Sequence, residues 1–311
     1  MEIQLRAHSP EVAVPTVDRS VSPVSSLRGR HNQIQEADIP AIATLLTRGF
    51  PWRSRQFWLR ALEQLGRREP PPGLPKYGYL IESDGAPVGE VLLICSKMQT
   101  NDTVATRCNL SSWYIEPYFR SYGTVLHAQA LQHKNVTYSN VSARPGIWSA
   151  IEAQGFSRYC DGTFLAVPTL SKPLTGTRVK VFGGHRQPEV SFDPVDRQLL
   201  LEHAAFGCIT LWCATSECAY PFVFRWHPAK AVIPCAQMIY CRDIAEFVRF
   251  AGPIGRFLTL RGSPIVRVDA NGPIPGLVGK FFRNRGPKYF KGPQRPRLGD
   301  LAYTEYALWG P

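Results

Sequence analysis

No stretch of the 311 residues approaches 18 consecutive apolar positions, so no segment reads as a membrane-spanning helix. The first residues lack an apolar run of signal-peptide length. No two cysteines stand as Cys-x-x-Cys, and no histidine lies at zinc-ligand spacing from one, which leaves no ligand set for a metal finger. A Gly-x-Ser-x-Gly nucleophile elbow and a Walker-type phosphate loop are both missing. His127 and His133 are six positions apart on one expected helix and so share no face; no metal is expected. Acidic residues are scarce, 24 against 36 Lys and Arg, for a net charge of +12. That excess favours anionic partners: a nucleotide cofactor, nucleic acid or a membrane surface.

What is present is globular. Hydrophobic residues make up 44% and aromatics 11%, enough for packed cores, and the length suits two domains. Eight cysteines sit mostly in apolar runs such as Val91–Cys95; the expectation is small buried thiols, in a reduced, cytoplasmic protein.

Residues 1–28 are rich in Ser and Pro without a period and are expected to be a flexible leader. Asp38 and Pro40 then open a helix whose Ile39, Ile42, Leu45 and Leu46 share a face. A second helix fits 54–65. Strands are expected at 77–82 and 88–95, joined at Asp84-Gly85, and at 104–115. A loop at 116–123 precedes a helix at 124–133, a strand at 135–141, a helix at 147–154 and a strand at 164–167. The order β-α-α-β-β-β-loop-α-β-α-β contains a crossover unit, so part of the sheet should be parallel. The second half, 180–311, offers a helix at 195–206, strands at 209–214, 220–226, 236–241 and 264–270, and a helix capped by Asp243. A basic Gly- and Pro-rich tail follows, then a closing strand near 300–310. An offset of 129 positions relates Arg120-x-x-Gly123 and the strand at Val136 to Arg249-x-x-Gly252 and the strand at Ile265, a hint of internal duplication.

The chemistry centres on Tyr114-Ile115-Glu116-Pro117-Tyr118-Phe119-Arg120-Ser121-Tyr122-Gly123-Thr124-Val125. The first turn of a helix presents unpaired N–H groups and the positive end of its dipole, a place for a diphosphate. Gly123 has no Cβ to block a close approach, and Arg120 and the Thr124 hydroxyl add charge and hydrogen bonds.

This segment resembles the pyrophosphate-binding loop of the GNAT superfamily of acyl-CoA N-acyltransferases, with Ile115-Glu116-Pro117 as its strand end. Trp148 to Gly155-Phe156 is similar to that family's helix ending in Gly-Phe, and Val88-Gly89 to its third strand. The resemblance implies an α/β (α+β) GNAT-like mixed sheet flanked by helices over residues 29–168. A second α/β domain would span 180–311, with a degenerate GNAT-like repeat as one reading of it. It further implies acetyl-CoA or another acyl-CoA as co-substrate, held by Ile115, Arg120, Ser121, Tyr122, Gly123, Thr124 and Val125. The acyl group would pass directly to an amine acceptor, with a general base and an oxyanion partner. The pattern departs at Val125, at Ile151 where the family often has a Tyr acid, and at Asn109 where many members carry a carboxylate. Tyr114 and Glu116 are the remaining catalytic candidates. Those departures also fit a tandem GNAT-like protein that binds a ligand or partner without catalysis. A third possibility is nucleic-acid binding by the tail, where Lys280, Arg283, Arg285, Lys288, Lys291, Arg295 and Arg297 alternate with Phe281, Phe282, Tyr289 and Phe290.

Overall fold

The computed structural model describes residues 31–100, 103–171, 176–181, 192–216, 218–227 and 234–310. The expected leader, 1–28, lies outside the described residues. Strand β1 (His31–Gln33) leads to helices α1 (Ile39–Gly49) and α2 (Arg55–Gly66). Ser54 accepts the amide of Phe57 and starts α2, whereas Asp38 caps nothing in α1 and instead accepts the Gln35 amide at 2.8 Å. Strands β2 (Gly78–Ser83), β3 (Ala86–Thr100) and β4 (Thr103–Ile115) form a meander. Its first turn is Asp84-Gly85, both at positive φ, 52° and 77°, as a two-residue hairpin requires. Helix α3 (Gly123–Ala130) crosses to β5 (Val136–Asn140), and α4 (Trp148–Ala153) leads into β6 (Ser157–Ala166).

The second half runs in a similar order, with one helix before its meander and no helix between its last two strands. Strand β7 (Arg178–Val181), helix α5 (Pro194–Ala205), the meander β8 (Ile209–Ala214), β9 (Ala219–His227) and β10 (Cys235–Cys241), helix α6 (Ile244–Thr259) and β11 (Ile265–Ala270) follow in turn. Strand β12 (Gly279–Lys291) and the short helix α7 (Glu305–Leu308) close the chain.

All described strands join one 12-stranded sheet in the order β1-β2-β3-β4-β5-β12-β6-β11-β10-β9-β8-β7. β4 and β5 run parallel, as do β10 and β11; the other neighbours are antiparallel. The centre shows a reciprocal exchange. β12, from the second half, lies between β5 and β6 of the first, while β6 lies between β12 and β11. Each half therefore lends its last strand to the other.

The basic run expected to be a tail is this central strand, and the region read as a closing strand is α7 with its flanking turns. Punctuating glycines misled the sequence pattern. Added Cβ atoms at Gly162 and Gly279 would sit 2.2 and 2.1 Å from the carbonyl oxygens of Phe282 and Leu165, so both glycines exist for close strand approach. Asn284 and Gly286, at φ 60° and 69°, belong to a bulge where the register slips from Arg283↔Gly162 to Lys288↔Cys160. β6 likewise begins seven residues before the expected 164, because Asp161-Gly162 looks like a turn in sequence.

Alternation along the strands sorts side chains into two layers. Leu92 and Ile94 join α1, α2, α5 and α7 in a core that spans both halves. Val91, Leu93 and Cys95 face α3 and α4, and Phe224, Met238 and Val268 face α6. With both faces covered, the strands read as continuous apolar runs. Ile42, Leu45 and Leu46 of α1 are wholly buried, each contributing roughly 1.5–3 kcal/mol relative to exposure.

Cys95 and Cys108, opposite one another on β3 and β4, are joined as a disulfide, which corrects the expectation of thiols throughout. Cross-strand pairing brings together two residues that the sequence placed in separate apolar runs. Cys160, Cys208, Cys213, Cys218, Cys235 and Cys241 are free thiols. Among the described residues no helix is long and apolar enough to cross a membrane, and no group of His, Cys, Asp and Glu could hold a metal ion.

Candidate active site

β4 and β5 pair only from Thr106↔Val136 to Asn109↔Ser139. Beyond that point β4 stays with β3 as far as Ile115, β5 stops at Asn140, and the two strands part. A cleft of about 610 Å³ opens in the gap. Leu110 to Ile115 form one wall; Asn140, Ser142, Ala143 and Arg144 form the other. Ala150 and Ile151 of α4, with Ile147 and Gln154 at its two ends, floor it, Gly49 and Phe50 approach from the end of α1, and Arg120, Gly123 and Thr124 stand at the start of α3.

The wall made by β4 is irregular. Glu90↔Tyr114 is followed by Leu92↔Ser111, so Val91 faces two residues, and Ser112 takes φ 51°. A non-glycine residue held in the left-handed region at a bulge turns backbone groups out of the ladder, here on the cleft wall. The Ser111 and Ser112 hydroxyls lie 3.1 Å apart. Trp113 stacks on His127 at 5.3 Å, and burial pulls His127 down to about 4, with Lys291 acting in the same sense; it is a neutral ring that braces the wall.

The sequence candidates fall into three groups. Ile115, Arg120, Gly123 and Thr124 line the cleft, as does Tyr114, whose ring covers Gly49 so closely that a Cβ there would lie 2.4 Å away. Ser121, Tyr122 and Val125 belong to the same turn but are not wall residues; Val125 is exposed and Tyr122 packs into the α3 core. Glu116 is bound to Arg48 at 2.7 Å and is not a wall residue either. The segment read as a loop is a 3-10 helix, Pro117–Tyr122, running directly into α3, and the Gly123 amide donates to the Arg120 carbonyl. Fewer amides are therefore free at this turn than an open loop would offer. Gly123 itself has φ −58°, so its backbone conformation does not demand glycine, although a Cβ would press on the end of the Ile115 side chain at 3.3 Å.

Asn109, named in the sequence only as a departure from the family pattern, and Ser142, Arg144 and Glu305, which sequence reasoning missed, gather where the strands part. Asn109 accepts from Ser139 at 3.2 Å and donates to Glu305. Arg144 lies over Trp52 and Phe50, 4.5 and 5.5 Å from their ring centres, at the cleft mouth. Glu305 is 196 positions from Asn109, so no local pattern connects them.

Among the described residues of the second half, the corresponding parting of strands is filled by the chain itself. β10 and β11 also pair briefly, from Cys235↔Ile265 to Gln237↔Arg267. There the free edge of β10 is taken by the chain itself: Cys241 N–H donates to Gly299 O at 2.9 Å, and Leu301 N–H to Ile239 O at 2.7 Å. Val136 and Ile265 both begin strands, as the 129-residue offset suggests, but Arg249 and Gly252 lie within α6 rather than in a loop before it. A larger hollow of about 1340 Å³ lies beside Arg107, Arg242, Arg297, Asp196 and Asp300. Arg242 pairs with Asp196 and Arg107 with Asp300; Arg295 and Arg297 of the basic run line the hollow, and none of the acyl-CoA or catalytic candidates does.

No protein-family model and no curated protein matches the sequence. Solved structures do. A candidate acetyltransferase from Pyrococcus horikoshii superposes with a TM-score of 0.52 at 12% identity, over 94% of this chain and 100% of that one. A GCN5-related N-acetyltransferase from Anabaena variabilis gives 0.54 at 7% identity, over 90% and 75%. A conserved protein of unknown function from Enterococcus faecalis, a candidate N-acyltransferase, gives 0.51 at 10%, over 88% and 73%. The fold of this chain is the GNAT fold, and the likeness extends over most of its length.

Proposed function

We propose that the chain is an acyl-CoA-dependent acyltransferase that moves an acetyl or acyl group to an amine by direct attack. The observation that carries this is the cleft between the parted strands β4 and β5, open from the α1 end to the start of α3. Its lining suits a thin, mostly apolar arm with an anionic end. Leu110, Ile115, Ile147 and Ile151 supply apolar contact, and Arg120 and Thr124 supply charge and a hydroxyl where a diphosphate would lie. Acyl-CoA, when bound, supplies a thioester carbonyl open to a nucleophile. Because the Gly123 amide is already engaged, side chains carry more of the anion binding here than backbone does. The bulge at Ser111–Trp113 is the wall irregularity at which backbone N–H groups could meet an oxyanion. Tyr114 faces the cleft from the α1 end, where an acceptor would enter, and is the better placed of the two catalytic candidates; Glu116 serves Arg48.

Calorimetry with acetyl-CoA, followed by thiol release in the presence of primary amines, tests the assignment. Binding that is lost in Arg120→Glu or Gly123→Asp supports it; a parent protein that binds no acyl-CoA removes it. A second reading, ligand binding without transfer, is favoured by the apolar Ile151 in the cleft and the engaged Glu116. Thiol release with any amine excludes it. We further propose that the two halves arose by duplication and that only the first kept an open cleft.

A further inference from the structure

Glu305 opens α7, in the second half of the chain, yet its carboxyl sits where β4 and β5 of the first half part. The residue is only 5% exposed. Oε2 accepts from the Asn109 amide. Oε1 is fully buried without a well-formed hydrogen bond; the side chain leaning on the carboxyl from the cleft is Ser142, a wall residue. No salt bridge reaches Glu305 among the described residues. The cation that acts on it is Lys288 of β12, itself 3.1 Å from Asp269 of β11. Tyr306 of its own helix lies over Lys288, and α2, packed on α7, presents its apolar face, Trp58, Leu62 and Leu65, to the shared core. A buried carboxyl with an idle oxygen is costly to keep, and this one is placed one side chain behind the cleft.

We propose that Glu305 is the proton acceptor of the acyl-transfer site, reached through the Ser142 hydroxyl. The proposal rests on the acyltransferase assignment and adds to it a positioning residue that the chain supplies from its other half. An amine reaches the cleft as an ammonium ion. Ser142 Oγ takes one of its protons while the hydroxyl proton passes to Oε1 of Glu305. The freed nitrogen lone pair attacks the thioester carbonyl; the C–N bond forms, the C–S bond breaks, and sulfur leaves with the electron pair and takes the second amine proton. Glu305 later returns its proton to water. Burial raises the Glu305 carboxyl above its usual range, against the opposing effects of Ser142, Asn109 and Lys288, which makes it a stronger base than an exposed glutamate. The alternatives are worse placed: Glu116 is ion-paired, and Glu90, held well above the usual range by complete burial, meets the cleft wall only through the Tyr114 backbone, with no hydroxyl between it and the cleft.

The test is the pH profile of thiol release from acetyl-CoA with a panel of primary amines, for the full-length parent, Glu305→Gln and Ser142→Ala. Expected are an acidic limb in the parent at a pH above 4.5 and its loss in Glu305→Gln. kcat should fall about 100-fold or more, with coenzyme A affinity unchanged. Ser142→Ala should lower kcat similarly. A folded Glu305→Gln variant with the parental profile and rate overturns the proposal while leaving the acyltransferase assignment standing. If that variant does not fold, a parental kcat in Ser142→Ala overturns it instead. A direct titration is independent of turnover. In carbon-13 glutamate-labelled protein, the carboxyl resonance missing from Glu305→Gln should titrate above 4.5 and move higher in Ser142→Ala. An ordinary, unmoved value refutes the relay. A parent that neither binds acetyl-CoA nor releases thiol removes both assignments together.

Discussion

Lys288→Met tests the exchanged strand most directly. Lys288 on β12 and Asp269 on β11 face each other across β6 at 3.1 Å, and both residues are almost wholly buried. Removing the lysine leaves a buried carboxylate without its cation, which costs about 3–5 kcal/mol. For a chain of this size each kcal/mol moves the melting temperature by roughly 2–4 °C, so a fall of about 10 °C is expected. Adding Asp269→Asn removes the second charge, and the double variant should recover to within about 2 kcal/mol of the parent. Burial raises the Asp269 carboxyl while Lys288 pulls it back; without Lys288 it lies higher still. A carboxyl whose folded pKa exceeds its unfolded one binds its proton more tightly when folded. Its contribution is therefore present at low pH and is lost as pH rises through the folded value. Lys288→Met should accordingly be less destabilised near pH 5 than near pH 8. Thermal unfolding followed by circular dichroism at both pH values measures this. A single variant within about 1 kcal/mol of the parent, or a double variant no better than the single, would show that this pair does not hold β12 in the sheet.

Gly49→Val should drive the Tyr114 ring from its place, since even a Cβ would meet it at 2.4 Å; amine KM is expected to rise more than coenzyme A affinity falls. Gly123→Ala should change stability by less than about 1 kcal/mol, because φ is already helical and the new contact is 3.3 Å, while any loss of coenzyme A affinity then reports the ligand's approach alone. His203 is buried, with Nδ1 donating to Leu199 O and Nε2 accepting from Tyr303 N–H, and burial lowers it to about 4. The unfolded state takes the proton first as pH falls, so stability should decline between pH 6.5 and 4, by up to about 3 kcal/mol from this group; His203→Gln should flatten that slope in urea titrations. Gly299→Val should destabilise the second half, because φ is +74° and a Cβ would lie 2.6 Å from Cys241 Sγ; a parental urea midpoint would contradict that.

Patterning alone carried most of the elements and their order through the first half. The amphipathic spacing of Ile42, Leu45 and Leu46 and the Asp84-Gly85 turn are local signals, decided by neighbours in sequence. So was the crossover at 116–136, and with it the part of the candidate site formed by Tyr114, Ile115, Arg120, Gly123 and Thr124. β12 was not legible, because Gly279, Gly286 and Pro287 are loop residues by local rule and strand residues only when another strand needs their small profile or their bulge. Ser142 and Glu305 were equally hidden, each unremarkable within its own segment, and Asn109 was legible only as a missing carboxylate, not as the partner of Glu305.

The sequence by itself thus determined most elements of the first half, the parallel crossover and the GNAT resemblance, since each rests on interactions within a dozen or so residues. Only the tertiary structure decided that the halves exchange their last strands, that Gly299–Leu301 pair with the free edge of β10, and that a carboxyl from the far end of the chain lies one side chain behind the first cleft. Those facts depend on which sheet edges and buried polar groups find partners across 100 residues or more, a long-range competition that no local period records.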